Sequence, residues 1–385
     1  MRHQNSVLHG LLKHVPWSVF DRLVDDHDAD RRVRRLTTRS QFVALLYGQF
    51  GGAASLREIE TALSSHAARL YHLGAAPVSR ATLADANARR PAAVFAGLFA
   101  HMAGQAGRGL KRKLGEAVRL IDATGLRLAG PAAAEWALFS AGVCGAKLHV
   151  VYDPDAARPL YAAVSAATVN DITAAKAMPI EAGATYVFDL GYYDYGWWAR
   201  MDAAGCRIVT RLKVNTPLAV VEDRAVAPAT AILSDRVGFL PSRQARSRAN
   251  PFTDPVREIR VMLDTGKVLR IVSNDLDAPA AEIAALYKRR WQIELFFRWV
   301  KQTLKIRHFL GLSENAVRIQ IAVALIAYLI LQMAHQATRL VPAPLAFARL
   351  VRANLMHRRD LQQLVSTPPE TIHDHRQLSI DFNRP

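Results

Sequence analysis

Five strand-like segments lie between residues 118 and 212, and helical segments interrupt them in one particular order. Short runs rich in apolar and β-branched residues predict strands at 118–122, 146–153, 159–169, 184–190 and 206–212. One helix is predicted at about 171–180, between the third and fourth strands, and another at 195–205, between the fourth and fifth. This order predicts an α/β fold built on a mixed sheet.

The chain before residue 113 has helical periodicity instead. Four helical pieces are predicted, at 11–24, 40–50, 55–73 and 79–102. A short turn with glycine and proline joins the last two, and Ser79 is a good N-cap, so the pair resembles a helix-turn-helix. In that case Arg80, Thr82 and Asn87 would point outward and read DNA. An ordinary helical hairpin is the alternative, because many hairpins share this pattern.

The charge balance limits the class of partner. The 385 residues include 50 Lys and Arg against 33 Asp and Glu, a formal net charge of +17. A chain this basic binds either nucleic acid or an anionic membrane surface. The most apolar segment, 321–331, is far shorter than the ~20 residues that span a bilayer, so we predict a buried core helix and no membrane attachment. Nucleic acid is therefore the first hypothesis.

The cysteine count, the N-terminal residues and the absence of two motifs limit the compartment and the class of enzyme. The two cysteines, Cys144 and Cys206, are too few for a disulfide framework, and the N-terminal residues lack the apolar core of a signal peptide. Both features predict a protein of a reducing cytoplasm. The sequence shows neither a glycine-rich phosphate loop nor a GxSxG motif, so a small-molecule enzyme has no support.

Two aspartates follow predicted strands. Asp122 comes after the first strand and Asp189 after the apolar run of the fourth. In a sheet of this order the first and fourth strands can be neighbours, and their terminal carboxylates would then converge. The alternative role for each aspartate is that of a turn former.

The helix predicted over 287–301 carries one glutamate among basic residues. At about 100° per residue, one stripe of this helix holds Tyr287, Arg290, Glu294, Arg298 and Lys301, while apolar residues form another stripe. The stripe is either an ordinary solvated face or part of a site. Glu294 would complete a trio with Asp122 and Asp189, and three carboxylates supply the oxygen ligands that two Mg²⁺ ions need for phosphoryl transfer, with Mn²⁺ as a substitute.

The spacing Tyr287-x2-Arg290-x3-Glu294-x6-Lys301 resembles the signature of IS-four-type bacterial insertion-sequence transposases. Around it, IDATGLRL, GAKLHVVYD, TVNDITAA and FDLGYYDYGWW are similar to the same family, so the resemblance covers nearly the whole chain. It implies a ribonuclease-H-like core with Asp122, Asp189 and Glu294 as the catalytic trio. It also implies that Tyr287, Arg290, Arg298 and Lys301 bind DNA phosphates.

The resemblance implies cut-and-paste transposition, with end nicking, hairpin formation and opening, and strand transfer into target DNA. The partners would be terminal inverted repeats, target DNA and a second copy of the chain, in a bacterial cytoplasm at the nucleoid. An aromatic residue would stack on a base flipped out of the hairpin, and core packing is the alternative role for each candidate. The candidates are Tyr193, Trp197, Trp198 and Trp291.

Two other functions remain open from the sequence. A nuclease of the same fold would stop at hydrolysis, and a domesticated transposase would bind DNA without cleaving it.

The alternating segment after Leu212 predicts a mostly β insertion. The predicted division is a helical N-terminal DNA-binding domain, the catalytic core in two parts around the β-rich insertion, and a C-terminal helical segment with its tail. The N-terminal domain is 1–113 and the first core part is 114–212. The insertion is 213–270, the second core part is 271–335, and the C-terminal segment is 336–385.

Overall fold

A computed structural model gives the fold of the chain. It describes residues 6–105, 117–140, 142–228, 230–245, 247–304, 306, 308–338 and 343–365. The boundary predicted at residue 113 and the predicted C-terminal tail beyond residue 365 lie outside the described residues.

Within residues 6–105, seven α-helices and a short 3₁₀ turn at Tyr71–Leu73 make up the N-terminal region, and side-chain caps set several of the helix starts. The hydroxyls of Ser6, Thr37, Ser55 and Ser79 accept from the backbone N–H three residues later, as N-caps do. The predicted piece 79–102 is two helices, because Pro91 interrupts it. The helices are α1 (Val7–Leu12), α2 (Trp17–Asp26), α3 (Thr38–Gly51), α4 (Leu56–Ser65), α5 (Ala67–Leu70), α6 (Arg80–Arg89) and α7 (Ala92–Gln105).

The predicted strands form the centre of one mixed sheet. Strand β1 (Val118–Leu128) lies between β3 (Val143–Asp153), which is antiparallel to it, and β5 (Thr185–Val187), which is parallel. The expected α/β class and the expected neighbourhood of the first and fourth predicted strands are confirmed. The other elements of this part are α8 (Pro131–Ala137), β2 (Leu138–Ser140), β4 (Arg158–Ala166), α9 (Asp171–Ala175), α10 (Tyr195–Ala203) and β6 (Arg207–Arg211).

Most strands of the predicted β-rich segment continue this same sheet. Its order is β2-β3-β1-β5-β6-β12-β11-β8-β7, with β4 paired to β3, and β9 and β10 form a separate two-stranded pair. The strands of the β-rich segment join the central strands where β12 pairs with β6 in antiparallel orientation. The strands are β7 (Ala219–Arg224), β8 (Ile232–Phe239), β9 (Arg243–Ala245), β10 (Arg248–Ala249), β11 (Val256–Met262) and β12 (Val268–Ser273).

In the described part of the chain after the sheet there are five helices. They are α11 (Ala280–Arg289), α12 (Trp291–Thr303), α13 (Glu314–Thr338), α14 (Pro344–Asn354) and α15 (Leu361–Val365). Within the described residues, α13 is the one helix long and apolar enough to cross a membrane, and 83% of its most apolar window is buried inside the protein. The predicted burial of this segment is confirmed.

The helix α13 joins the N-terminal region to the sheet. Helices α1, α3, α6 and α7 pack against it, and one continuous apolar core runs from these helices through α13 to one face of the sheet. Asn315 ties the two parts together: its side chain donates to the carbonyls of Asn87 and Arg90, and its Oδ1 accepts from the Ala92 amide. The other face of the sheet has its own core, centred on α10.

Candidate active site

Asp122 lies inside a strand, not at its end. Strand β1 continues to Leu128 because it pairs with β3 along its length, and Asp122 stands opposite Val150. The expectation that Asp122 ends its strand is therefore wrong. Its Oδ1 accepts from the Ala123 amide at 2.8 Å, and its side chain is 18% exposed. The carboxylate is thus half-buried in the middle of the sheet.

Asp189 lies two residues beyond β5. The parallel pairing of Leu120 with Val187 brings the chain after β5 beside Asp122. Asp189 is the N-cap of a short 3₁₀ turn, and its Oδ1 accepts from the Gly191 amide at 2.8 Å. The pKa of Asp122 is raised to about 6. Burial is the largest cause, and the nearby charges of Asp189 and Glu294 add to the rise.

Glu294 comes to the site from α12, which packs on β1. The predicted continuous helix is interrupted at Arg290, whose amide donates to the Tyr287 carbonyl three residues back, at 3.1 Å. Pro279 is the N-cap of α11. At the interruption the Arg290 guanidinium contacts two of the three acids. Its Nη2 lies 2.5 Å from Glu294 Oε1, and its Nη1 lies 3.6 Å from Asp122 Oδ2.

The site holds a cationic group between carboxylates. Burial disfavours the charged form of Arg290, but Tyr287, Glu294 and Asp122 together raise its pKa. Among the described residues, no three His, Cys, Asp or Glu side chains are arranged to hold a metal ion. The donor set nevertheless fits a divalent cation, because the acids of the trio offer oxygen ligands and already attract a positive charge.

Two residues that sequence reasoning missed adjoin the trio. The Tyr192 hydroxyl is buried and has no hydrogen-bond partner within the described part of the chain. Burial raises its pKa first, and then the charges of Asp122, Asp171 and Asp189. Asp171 accepts from Lys147 Nζ at 2.9 Å, and a Cβ added at Gly191 would lie 3.2 Å from its Oδ2 and 3.0 Å from Asp189 Oδ1. The stretch TVNDITAA contained Asp171, but no spacing rule linked it to Asp189.

The residues predicted to bind phosphates differ in exposure. Tyr287 is buried, and burial raises the pKa of its hydroxyl, which faces Arg290. Arg298 is exposed, and its guanidinium lies 5.7 Å from the centre of the Trp291 ring. Lys301 is half-buried on the same helix. Arg298 is thus open to solvent, whereas Tyr287 positions Arg290 from beneath.

The aromatic candidates separate into core and surface residues. Trp197 and Trp198 are 1% and 2% exposed and pack around Phe188, so the expectation that either could stack on a flipped base is wrong. Tyr193 is half-buried, its hydroxyl bonds to Tyr195 and Thr216, and Lys213 lies over its ring. Trp291 is 50% exposed at the start of α12 and remains the accessible candidate.

The predicted DNA-reading residues on α6 do not share one exposed face. Arg80 and Thr82 are exposed, and Thr82 is bonded to the N-cap Ser79. Asn87 is 4% exposed, and its Oδ1 accepts from Gln41 Nε2 at 2.8 Å. The expectation that Asn87 points outward is wrong, because its amide is committed to a buried contact with α3.

A family model described as a transposase DDE domain matches residues 113–330, more than half of the chain. The chain belongs to the DDE transposase family. A putative transposase of Sinorhizobium fredii, y4zB, is 42% identical over 287 residues, covering 74% of this chain and 80% of that protein. A probable transposase for insertion sequence element IS5377 of Geobacillus stearothermophilus is 29% identical over 224 residues, 58% of each chain. Residues 3–76 match a second family, described only as a domain of unknown function.

A structure of the piggyBac transposase synaptic complex with hairpin DNA aligns with 95% of this chain and 83% of its own, with a TM-score of 0.47 and 11% identity. The assignment rests on the family model and the insertion-sequence relatives. It confirms the expected ribonuclease-H-like core and the expected function of a DNA transposase, an enzyme that cleaves DNA and transfers strands. Members of this family use divalent metal ions.

Proposed function

We propose that this transposase moves an insertion sequence by cut-and-paste chemistry at the site around Arg290. The observation that carries the proposal is the convergence of Asp122, Asp189 and Glu294 from β1, the end of β5 and α12. The charges of Asp189 and Glu294 both raise the pKa of Asp122, and Arg290 contacts both Asp122 and Glu294; these interactions support one site with one task.

Asp122, Asp189 and Glu294 would hold two Mg²⁺ ions, and Mn²⁺ could replace them because it also prefers oxygen ligands. When bound, the ions supply Lewis-acid activation and neutralise charge at the attacked phosphate. Arg290 is then free to turn from the carboxylates to a DNA phosphate, since both partners attract the same guanidinium. Arg298 and Lys301 would extend this contact along the DNA backbone.

The reaction order follows from the resemblance to insertion-sequence transposases. Water attacks the phosphodiester at the element's end and leaves a 3′-OH. This 3′-OH attacks the opposite strand and forms a hairpin, a second water opens it, and the 3′-OH then attacks target DNA. Trp291 is the residue we assign to the flipped base of the hairpin, because it is exposed beside Glu294. Two copies of the chain would hold the two terminal repeats, in a bacterial cytoplasm.

The test uses a labelled duplex carrying the terminal repeat of the element, with Mg²⁺ present. Asp122→Asn, Asp189→Asn and Glu294→Gln should bind this DNA but lose nicking, hairpin formation and strand transfer together. Asp264→Asn, an exposed change in the turn between β11 and β12, is the matched control and should keep all three activities. Near-normal nicking by any trio variant would remove that residue from the site, and products of hydrolysis alone would favour a nuclease.

A further inference from the structure

An arginine-rich cleft opens in the N-terminal region, between the loop that joins α2 to α3 and the C-terminal half of α6. Its volume is about 830 Å³, and six arginines line it together with two aspartates, Asp28 and Asp85. The six are Arg31, Arg32, Arg34, Arg35, Arg89 and Arg90. None of these arginines was predicted to read DNA, although Thr82 of that predicted set also lines the cleft, and the metal site lies on other elements.

The loop is anchored from behind, so that most of these arginines face outward. Asp30 Oδ1 accepts from the Thr38 amide and from the Thr38 hydroxyl, both at 2.7 Å. The buried Arg90 donates to the Leu36 carbonyl and to Gln41 Oε1, and lies 3.8 Å from Asp30. Asp30 and Arg90 are therefore structural and hold the two walls of the cleft together.

Four guanidinium groups remain available for a ligand. Arg31, Arg32, Arg34 and Arg35 are exposed, and within the described part of the chain none of their guanidinium groups makes a hydrogen bond or an ion pair. By contrast, Arg89 pairs with Asp85 on its own helix. Four like charges within five residues repel one another, and Asp28 and Asp85 in the same cleft offset part of this repulsion, so an anion bound there would be attracted by the remaining positive charge.

The backbone of the loop is strained at the same place. Arg32 has φ of 61° and Asp28 has φ of 50°, a left-handed conformation that non-glycine residues rarely adopt. Such strain persists where the surrounding structure imposes it, and it is concentrated at functional sites. Here it turns consecutive arginine side chains toward one cleft rather than to opposite sides of an extended segment.

We propose that this cleft binds the sugar-phosphate backbone of duplex DNA outside the cleaved bond, in a manner independent of sequence. The inference deepens the proposed function, because it names a second DNA contact of the same enzyme. Each DNA strand carries a phosphate every ~3.4 Å along the axis, so a loop of five residues reaches several phosphates at once. Arginine suits this role because its planar guanidinium binds phosphate oxygens in pairs.

The experiment measures binding to a 30-base-pair duplex at several salt concentrations, in EDTA so that no DNA is cut. The slope of log affinity against log salt gives the number of ions released on binding. This number should fall by about four in the quadruple variant Arg31→Gln, Arg32→Gly, Arg34→Gln and Arg35→Gln. Between 50 and 200 mM salt, the DNA affinity of the wild type should therefore fall by about 10²-fold more than the DNA affinity of the variant. The loss should be the same for a random duplex and for the terminal repeat.

Two controls separate this contact from general charge and from misfolding. The variant Arg22→Gln, Arg57→Gln, Lys267→Gln and Arg349→Gln removes four exposed positive charges elsewhere and should keep most of the wild-type salt slope. The single change Arg32→Gly relieves the left-handed strain, so the fold should be kept while the slope falls by about one ion.

Unchanged salt slopes in the cleft variants, or equal losses in both quadruple variants, would overturn the inference. So would a loss that appears with only one of the two duplexes. These outcomes leave the carboxylate site untouched. Conversely, nicking by Glu294→Gln would remove the proposed function while leaving the binding result at the cleft intact.

Discussion

Asp122→Asn should stabilise the metal-free enzyme at neutral pH, although it removes a residue of the candidate active site. Burial raises the pKa of this carboxyl from 3.8 to about 6, and the nearby charges of Asp189 and Glu294 add to the rise. Holding it ionised therefore costs folding free energy whenever no cation occupies the site. Asparagine keeps the size of the side chain and the Oδ1 that accepts from the Ala123 amide, but it carries no charge.

The sign and the magnitude follow from linkage. Below pH 3.8 the carboxyl is protonated in both the folded and the unfolded chain, so it imposes no penalty. As the pH rises through the folded pKa near 6, the wild type loses stability relative to the variant. The rise of the Asp122 pKa from 3.8 to about 6 corresponds to at most ~3 kcal/mol of folding free energy. We expect ~1–3 kcal/mol, because solvent and Arg290 screen part of the charge.

The assay is urea unfolding in EDTA at pH 4 and pH 8, with Asp264→Asn as the matched exposed control. The gain of Asp122→Asn should be small at pH 4 and large at pH 8, and the control should show little change at either pH. Adding Mg²⁺ at pH 8 should stabilise the wild type more than the variant, since a ligand that binds the folded state raises its stability. A variant that is less stable than the wild type at pH 8 in EDTA would refute the electrostatic argument.

Three further results are expected. Tyr192→Phe removes a buried hydroxyl that has no partner in the described part of the chain, and it should raise the thermal midpoint by an amount equivalent to ~1 kcal/mol; a fall of that size would show that the hydroxyl is bonded. Arg257→Ala should cost ~3–5 kcal/mol in urea unfolding, because it leaves Asp235, paired with Arg257 at 2.6 Å, buried and alone; a loss below ~1 kcal/mol would contradict this. Removal of residues 1–113 exposes the apolar face of α13, so light scattering should show aggregation rather than a monodisperse, folded core.

The local patterns of the sequence predicted the parts of the site that depend on short segments. Alternation and β-branched runs located the strand that bears Asp122 and the strand that ends two residues before Asp189, and their order predicted that these strands are neighbours. The helical spacing of Arg290 and Glu294 predicted one face, and four residues along a helix is the distance at which the two side chains meet.

The parts that the sequence did not predict depend on distant partners. Strand β1 runs past Asp122 through Thr124 and Gly125, residues that look like a turn, because β3 supplies a long antiparallel partner. Asn87 looks like a surface residue of a recognition helix, yet Gln41, 46 positions away, satisfies its amide in the core. The convergence of Asp171 and Tyr192 on the trio likewise arises from tertiary packing, to which local periodicity is insensitive.

The N-terminal region shows the same limit at a larger scale. The apolar composition of α13 predicted its burial, but not that the N-terminal helices are what cover it. The arginines of the α2–α3 loop stand close together in the sequence. Their common cleft with α6 depends on Asp30 and Arg90, whose contacts with Thr38 and Leu36 fold the loop back.

The number of metal ions bound by the carboxylate trio tests the central claim most directly. Electron paramagnetic resonance of Mn²⁺, titrated into the enzyme bound to its terminal-repeat DNA, counts the ions and detects coupling between ions ~4 Å apart. We expect two coupled Mn²⁺ ions per chain in the wild type, and loss of the coupled pair in Asp122→Asn, Asp189→Asn and Glu294→Gln. A coupled pair that persists in all three variants would contradict the account, because the ions would then be held by other residues.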